Sequence, residues 1–283
     1  MACAAGEGVT SPAEVAAWFG WGLFLGWVGW LLARRAGPRW RTSNRRGRTI
    51  PATVGWACAL GAAGLVLVVV RQVDTVGLRD SQAGELLGAA IVFLAGVVDD
   101  GFGGQVRGLR GHLRAVLDGH ITTGGLKLAA AVLAAAITVA WTPREHLWAN
   151  LSALIAIAGC TNVWNGLDVA PGRALKAFLA VALVLLVVDV RAFLLVCTGA
   201  ATAALVPDLR ERGMLGDSGA NLLGFLAGAE IVRRLPEIWL LPAAATVIGL
   251  NVLAETVTFS RTIERAAPLR WFDRLGRLPN GSA

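Results

Sequence analysis

The chain has 283 residues, of which 55% are hydrophobic and 16% are charged. The apolar residues come in long blocks, so the composition excludes an ordinary soluble domain and indicates a polytopic membrane protein. The net charge of +7 is concentrated in particular loops. This distribution is typical of membrane topology and of contact with anionic lipid headgroups, not of nucleic-acid binding.

Nine apolar blocks are long enough to cross a bilayer, whose core of about 30 Å needs roughly 20 helical residues, or somewhat fewer with local thinning. The first block lacks the features of a signal peptide, so we interpret it as a retained span. The sequence predicts an all-α transmembrane bundle that forms a single domain over 1–283. Its spans are expected at about 15–33, 52–70, 84–98, 125–141, 147–162, 174–190, 191–206, 218–232 and 237–259.

The distribution of basic residues predicts the orientation. If the N-terminus is outside, nineteen of the 26 Lys and Arg residues lie at cytoplasmic ends, six lie at the opposite ends, and Lys127 lies inside the fourth span. Because basic residues collect on the cytoplasmic side, we predict that 1–14 is extracellular and that 260–283 is a cytoplasmic basic tail. Three polar clusters then meet at the cytoplasmic face, as expected for a site assembled from the ends of several helices.

The first cluster is the pair Asp99 and Asp100, which ends the third span. Neighbouring carboxylates repel, so the pair favours a divalent cation or a basic partner and leaves one acid suited to accepting a proton. The alternative is a solvated helix end, although carboxylates at a helix C-terminus oppose the helix dipole.

Lys127 lies inside an apolar segment and is a candidate phosphate ligand, whereas the loop arginines near it are interpreted as topological charge.

The second cluster is Asn162, Asn165 and Asp168, which are spaced three residues apart. If the fifth helix continues to Asp168, the three side chains share one face. Amides and a carboxylate in a row can bind phosphate, a sugar or base edges, or they can contact the water shell of a cation. A capping and turn role is the alternative, because Pro171 and Gly172 follow directly.

The third cluster is Asp217, which lies between Gly216 and Gly219 where an apolar helix begins. Asp217 can be an N-cap or a metal ligand. The two roles are compatible, because the free N–H groups at the start of this helix can face phosphate oxygens. The oxygen-only donor set favours Mg²⁺, with Mn²⁺ as an alternative ion, whereas zinc lacks its usual Cys and His ligands.

With these clusters in this order, the sequence resembles the polyprenyl-phosphate N-acetylhexosamine-1-phosphate transferases. This family includes phospho-N-acetylmuramoyl-pentapeptide transferase and the GlcNAc-1-phosphate transferases that start teichoic acid, O-antigen and N-glycan assembly. The resemblance runs from about Arg48 to Gly224. Its markers are Arg48 to Pro51, the Asp99–Asp100 pair, Lys127, the Asn162/Asn165/Asp168 run, and Gly216 to Gly219 with Gly224.

The resemblance implies attack of a polyprenyl phosphate on the β-phosphate of a UDP-sugar, with Mg²⁺ and release of UMP. It implies that Asp217 is the metal ligand and that Asp99 and Asp100 engage the lipid phosphate and can deprotonate it. Lys127 would balance phosphate charge. Arg48, Asn162, Asn165 and Asp168 would contact substrate. The expected location is the bacterial cytoplasmic membrane, with cell-envelope glycan synthesis as the context and a homodimer left open.

The sequence also departs from the family pattern. The second acid expected shortly after Asp168 is absent, because Val169 to Gly172 follow instead, and a histidine-rich last cytoplasmic loop is absent as well. Two alternatives to the transferase therefore stay open. One is a catalytically silent scaffold that binds lipid phosphate. The other is a cation-coupled transporter, which predicts carboxylates near the middle of the spans rather than at their ends.

Overall fold

The computed structural model describes residues 9, 11–44, 46–71, 80–103 and 122–279, with the backbone alone for 65–71, 80 and 81. The loop arginines Arg107, Arg110 and Arg114 lie outside these residues. Within the described residues the chain forms eleven α-helices and one β-hairpin. Their bounds are α1 Pro12–Ala33, β1 Arg41–Ser43, β2 Thr49–Pro51, α2 Gly55–Arg71, α3 Asp80–Phe102, α4 Thr123–Trp141, α5 Leu147–Leu167, α6 Arg173–Val188, α7 Ala192–Leu209, α8 Gly216–Arg234, α9 Leu240–Thr256, α10 Phe259–Arg265 and α11 Ala267–Arg274.

The structure confirms a helical membrane protein. Five helical segments are long and apolar enough to cross a membrane, namely α1, α4, α5, α7 and the segment Glu237–Thr256 that contains α9. Each of the nine predicted spans overlaps one of the helices α1 to α9. However, α2 and α6 have only 17 and 16 residues, and α3 and α8 carry several charged side chains. Nine crossings therefore stay a prediction.

The loop after α1 departs from the all-α prediction, because β1 and β2 form an antiparallel hairpin with Thr42 opposite Ile50. Gly47 supplies the left-handed backbone of the turn, with φ of 72°, which glycine adopts without steric cost. The Met214 N–H donates to the Pro51 carbonyl at 2.8 Å. The hairpin is thereby attached to the residues that lead into α8.

Helix α8 lies at the centre of the bundle and is buried along most of its length. Its neighbours approach closely through glycines: a Cβ on Gly96 would lie 2.4 Å from the Ser218 Cα, and a Cβ on Gly219 would lie 2.5 Å from the Gly55 Cα. Close packing of small residues is a principal source of helix association in membranes. This packing fixes the start of α8 against α2 and α3.

The relative directions of the helices bring the polar clusters together. Gly96 approaches Ser218 while Gly88 approaches Phe225, so α3 and α8 are antiparallel. Helix α5 is also antiparallel to α8, because Gly224 contacts Cys160 and Gly228 contacts Ile157. The ends of α3 and α5 therefore lie at the same end of the bundle as the start of α8.

Candidate active site

Lys127 joins two of the predicted acids. Its Nζ lies 2.6 Å from Asp99 Oδ2 and 2.9 Å from Asp217 Oδ2. Asp99 comes from the end of α3, Lys127 from the first turn of α4 and Asp217 from the first turn of α8. The Thr123 hydroxyl also hydrogen-bonds Asp99. Three segments that are distant in sequence thus form one ion-paired group.

Asp100 has a different environment from Asp99. Its Oδ1 accepts the Asp217 N–H at 2.7 Å and its Oδ2 accepts the Ser218 N–H at 3.0 Å. The carboxylate of α3 therefore caps the N-terminus of α8, as an N-cap side chain would. Asp100 lies beyond the predicted span 84–98, and burial raises its pKa to about 6, although these N–H groups oppose the rise.

Asp168 completes this cap from the end of α5. Its carboxyl group accepts the Gly216 N–H, and its pKa is raised by burial and by the charges of Asp208, Asp217 and Asp100. The first N–H groups of α8 are thus bound by protein carboxylates. The expectation that these N–H groups are free to face phosphate oxygens is wrong for Gly216, Asp217 and Ser218, because α3 and α5 supply competing acceptors.

Asn162 and Asn165 line a cavity of about 450 Å³ between α4, α5, α8 and the residues that follow α9. Lys127 and Asn221 line the same cavity, so it opens directly beside the ion-paired group. The Asn162 amide donates to Asn251 Oδ1 at 2.6 Å. Asn165 Oδ1 is buried and has no hydrogen-bond partner within the described part of the chain. Buried amide oxygens without a donor are rare, which makes Asn165 a candidate ligand-binding residue.

Asp168 does not share the cavity of Asn162 and Asn165. Helix α5 ends at Leu167, so the three-residue spacing that puts the two amides on one face does not extend to Asp168. Asp168 instead lines a smaller cavity of about 100 Å³ together with Asp208. The prediction of one continuous polar face therefore holds for the amides alone.

Arg48 lines neither of the two cavities described above. It is exposed beside the β1–β2 turn, where its N–H donates to Asn44 Oδ1 at 2.9 Å. Its guanidinium makes no ion pair with the described residues, whereas the neighbouring Arg46 pairs with Glu211 at 3.2 Å. A role for Arg48 in substrate binding is not supported by a contact in the described structure.

Two residues of the site were missed in the sequence. Asn221 lies one turn after Asp217 on α8, so the helical period could have indicated it. Asp208 is buried near the end of α7 and accepts N–H groups from Gly172 at 2.5 Å and Leu215 at 3.1 Å. Its position at a helix C-terminus, where a carboxylate opposes the dipole, is the signal that pointed to the Asp99–Asp100 pair.

The acids of the site fit Mg²⁺ only as a partial set of ligands. Among the described residues, no group of three or more His, Cys, Asp or Glu side chains has the geometry of a metal site. The carboxyl groups of Asp99 and Asp217 hydrogen-bond each other, and both pair with the ammonium group of Lys127. Contact between carboxylates favours a proton or a cation. The donors fit Mg²⁺ held by Asp217 with water and substrate phosphates as further ligands, but not an all-protein cage.

No protein-family model matches the sequence, and no curated protein matches it. The resemblance to the transferase family therefore rests on the sequence motifs alone.

Proposed function

We propose that the chain is a Mg²⁺-dependent transferase that moves a sugar-1-phosphate from a UDP-sugar to a polyprenyl phosphate, releasing UMP. The observation that carries the proposal is the convergence of Asp99, Lys127 and Asp217 beside a cavity that Asn162 and Asn165 line. Phosphoryl transfer needs positioning and charge neutralisation more than covalent chemistry. Acids, an ammonium group and amides beside one cavity meet that need.

In the proposed reaction an oxygen of the lipid phosphate forms a bond to the β-phosphorus of the UDP-sugar. The bond from that phosphorus to the bridging oxygen breaks, and UMP leaves with this oxygen. Asp99 would engage the lipid phosphate, and Lys127 would balance the charge of the reacting phosphates. Asn162 and Asn165 would hold the nucleotide-sugar. Mg²⁺ bound at Asp217 would neutralise charge on the diphosphate.

The proposal includes nine crossings of a bacterial cytoplasmic membrane, with the N-terminus outside and the site at the cytoplasmic face. Nineteen of the 26 basic residues support this orientation. The lipid would enter between helices from the bilayer, and the nucleotide-sugar would enter from the cytosol. The product would serve cell-envelope glycan synthesis.

The second candidate is a catalytically silent scaffold that binds lipid phosphate. It is favoured by one observation: Asp100 and Asp168 both serve as caps of α8, so part of the acidic cluster already has a structural role. A cation-coupled transporter is less well supported, because Asp99 and Asp217 lie at helix ends rather than near the middle of a span.

The test is UMP release by purified protein with undecaprenyl phosphate, Mg²⁺ and a panel of UDP-sugars. We expect UMP only when lipid phosphate is present, and a loss of at least about 100-fold for Asp217→Asn. Asp189→Asn is the matched control, since Asp189 is half exposed and makes only a 3.7 Å ion pair elsewhere in the bundle. Confirmed lipid-phosphate binding without UMP from any sugar would favour the scaffold.

A further inference from the structure

An apolar groove lies on the outside of the bundle, between α1 and α7. The groove has a volume of about 600 Å³, and none of its lining residues belongs to the candidate active site. Its walls include Phe24, Trp27 and Trp30 from α1 and Val206 from α7, and Arg212 lies at its end. Phe24, Trp27 and Val206 are 51%, 56% and 60% exposed.

The packing of α1 on α7 explains the groove. A Cβ on Gly22 would lie 2.1 Å from the Val196 carbonyl oxygen, and a Cβ on Gly26 would lie 2.8 Å from the Ala200 Cα. The two backbones are in contact along this line and the helices are parallel. The large side chains of α1 therefore lie beside the contact, where they face the bilayer.

Arg212 distinguishes this groove from a simple apolar surface. It follows the end of α7 at Leu209, and its N–H donates to the Pro207 carbonyl at 2.9 Å. Its side chain is exposed, and its guanidinium has no ion pair or hydrogen bond with the described residues. Other arginines of the described structure do have acidic partners, such as Arg46 with Glu211 and Arg173 with Asp273.

A guanidinium at the end of a bilayer-facing aromatic groove matches one ligand chemistry. Arginine binds phosphate through charge-assisted hydrogen bonds, and tryptophan side chains favour the region where acyl chains meet headgroups. We propose that this groove binds a phospholipid with an anionic headgroup, with the phosphate at Arg212 and an acyl chain along Trp27 and Phe24. The site is separate from the proposed lipid-substrate site.

The test is native mass spectrometry of the purified protein with equal amounts of phosphatidylglycerol and phosphatidylcholine. We expect preferential retention of phosphatidylglycerol and a loss of about tenfold for Arg212→Gln, the size expected for a hydrogen bond to a charged group. Arg210→Gln is the matched control, because Arg210 is exposed two residues away but does not line the groove; it should retain the lipid within about twofold. Trp27→Ala should lower retention of both lipids.

Other outcomes would overturn the proposal. If Arg212→Gln and Arg210→Gln lose phosphatidylglycerol retention equally, the lipid is attracted by surface charge in general and not by the groove. Equal retention of the two lipids by the unchanged protein would rule out headgroup recognition. A dimer without bound lipid that dissociates in Trp27→Ala would identify the groove as a self-association surface. UMP release should be the same for Arg212→Gln as for the unchanged protein, so failure of this proposal is distinguishable from failure of the transferase proposal.

Discussion

The antiparallel pair α3 and α8 carries a cluster of charged residues at each end, and the two clusters differ in how their charge is balanced. Glu85 and Asp99 are 14 residues apart on α3, which corresponds to about 21 Å along a helix. At the Glu85 end, both acids have arginine partners. Glu85 of α3 pairs with Arg233 at 2.6 Å. Glu230 of α8 pairs with Arg191 at 2.9 Å and also with Arg234.

At the Asp99 end, Asp99 and Asp217 share the ammonium group of Lys127, and a cavity opens beside it. Asp217 is 34% exposed there, whereas the side chain of Glu230 is 1% exposed. Charges that are paired and sealed from solvent hold helices together. Charges that are partly exposed and incompletely balanced are available to a ligand, which is why we place function at this end.

The largest effect on stability is expected from breaking the buried ion pairs at the Glu85 end of α3 and α8. Glu230→Ala would remove the buried carboxylate that pairs with Arg191 and Arg234, and removing one member of a buried pair typically costs about 3–5 kcal/mol. We expect a clear loss of thermal stability in detergent, measured by the unfolding midpoint. An unchanged midpoint would show that the paired end is not structural.

Lys127→Gln should have its main effect on activity. The change removes the ammonium between Asp99 and Asp217, so we expect UMP release to fall by about 100-fold or more. Stability should fall by about 1 kcal/mol, because the two carboxylates then repel. A large loss of stability without a loss of UMP release would instead mean that Lys127 is a structural residue like Arg191.

Asp100→Asn tests whether the two acids of the pair have separate roles. An amide can accept only one of the two N–H groups that Asp100 binds, so we expect a loss of about 0.5–2 kcal/mol, the usual cost of losing a helix cap. Asp99→Asn should abolish UMP release with a smaller change in unfolding midpoint. If the two variants behave alike in both measurements, the division of roles between Asp99 and Asp100 is wrong.

The smallest effect is expected for Arg48→Gln. Its side chain is exposed and makes no ion pair with the described residues, and surface substitutions of this kind usually change stability by less than about 0.5 kcal/mol. The KM for the UDP-sugar should change less than twofold. A KM increase of about tenfold would support the prediction that Arg48 contacts the substrate.

Part of this site was predictable from sequence. Consecutive spans alternate in direction, so every second loop lies on the same side of the membrane. This alternation predicts that Asp99, Lys127 and Asp217 lie at the same end of the bundle. The positions of Asn162 and Asn165 on one face followed from the helical period.

The remaining features depend on contacts between distant segments. The end of α5 at Leu167 separates Asp168 from the two amides, and the cap of α8 by Asp100 depends on how closely Gly96 approaches Ser218. The pairing of Glu230 with Arg191 is equally non-local. Local patterns of hydrophobicity and charge contain no information about which donor a given carboxylate meets. The hairpin was missed because three-residue strands are too short for a periodic signal.

The cap of α8 by Asp100 and Asp168 has a consequence for biosynthesis. The first turn of α8 obtains its acceptors from helices made earlier, and those acids gain their donors only when α8 arrives. Assembly of the site is therefore expected to be a late and concerted event during translation. A chain that stops before Gly216 should leave the acids of α3 and α5 accessible to carboxyl-modifying reagents, whereas a chain extended through Arg234 should protect them.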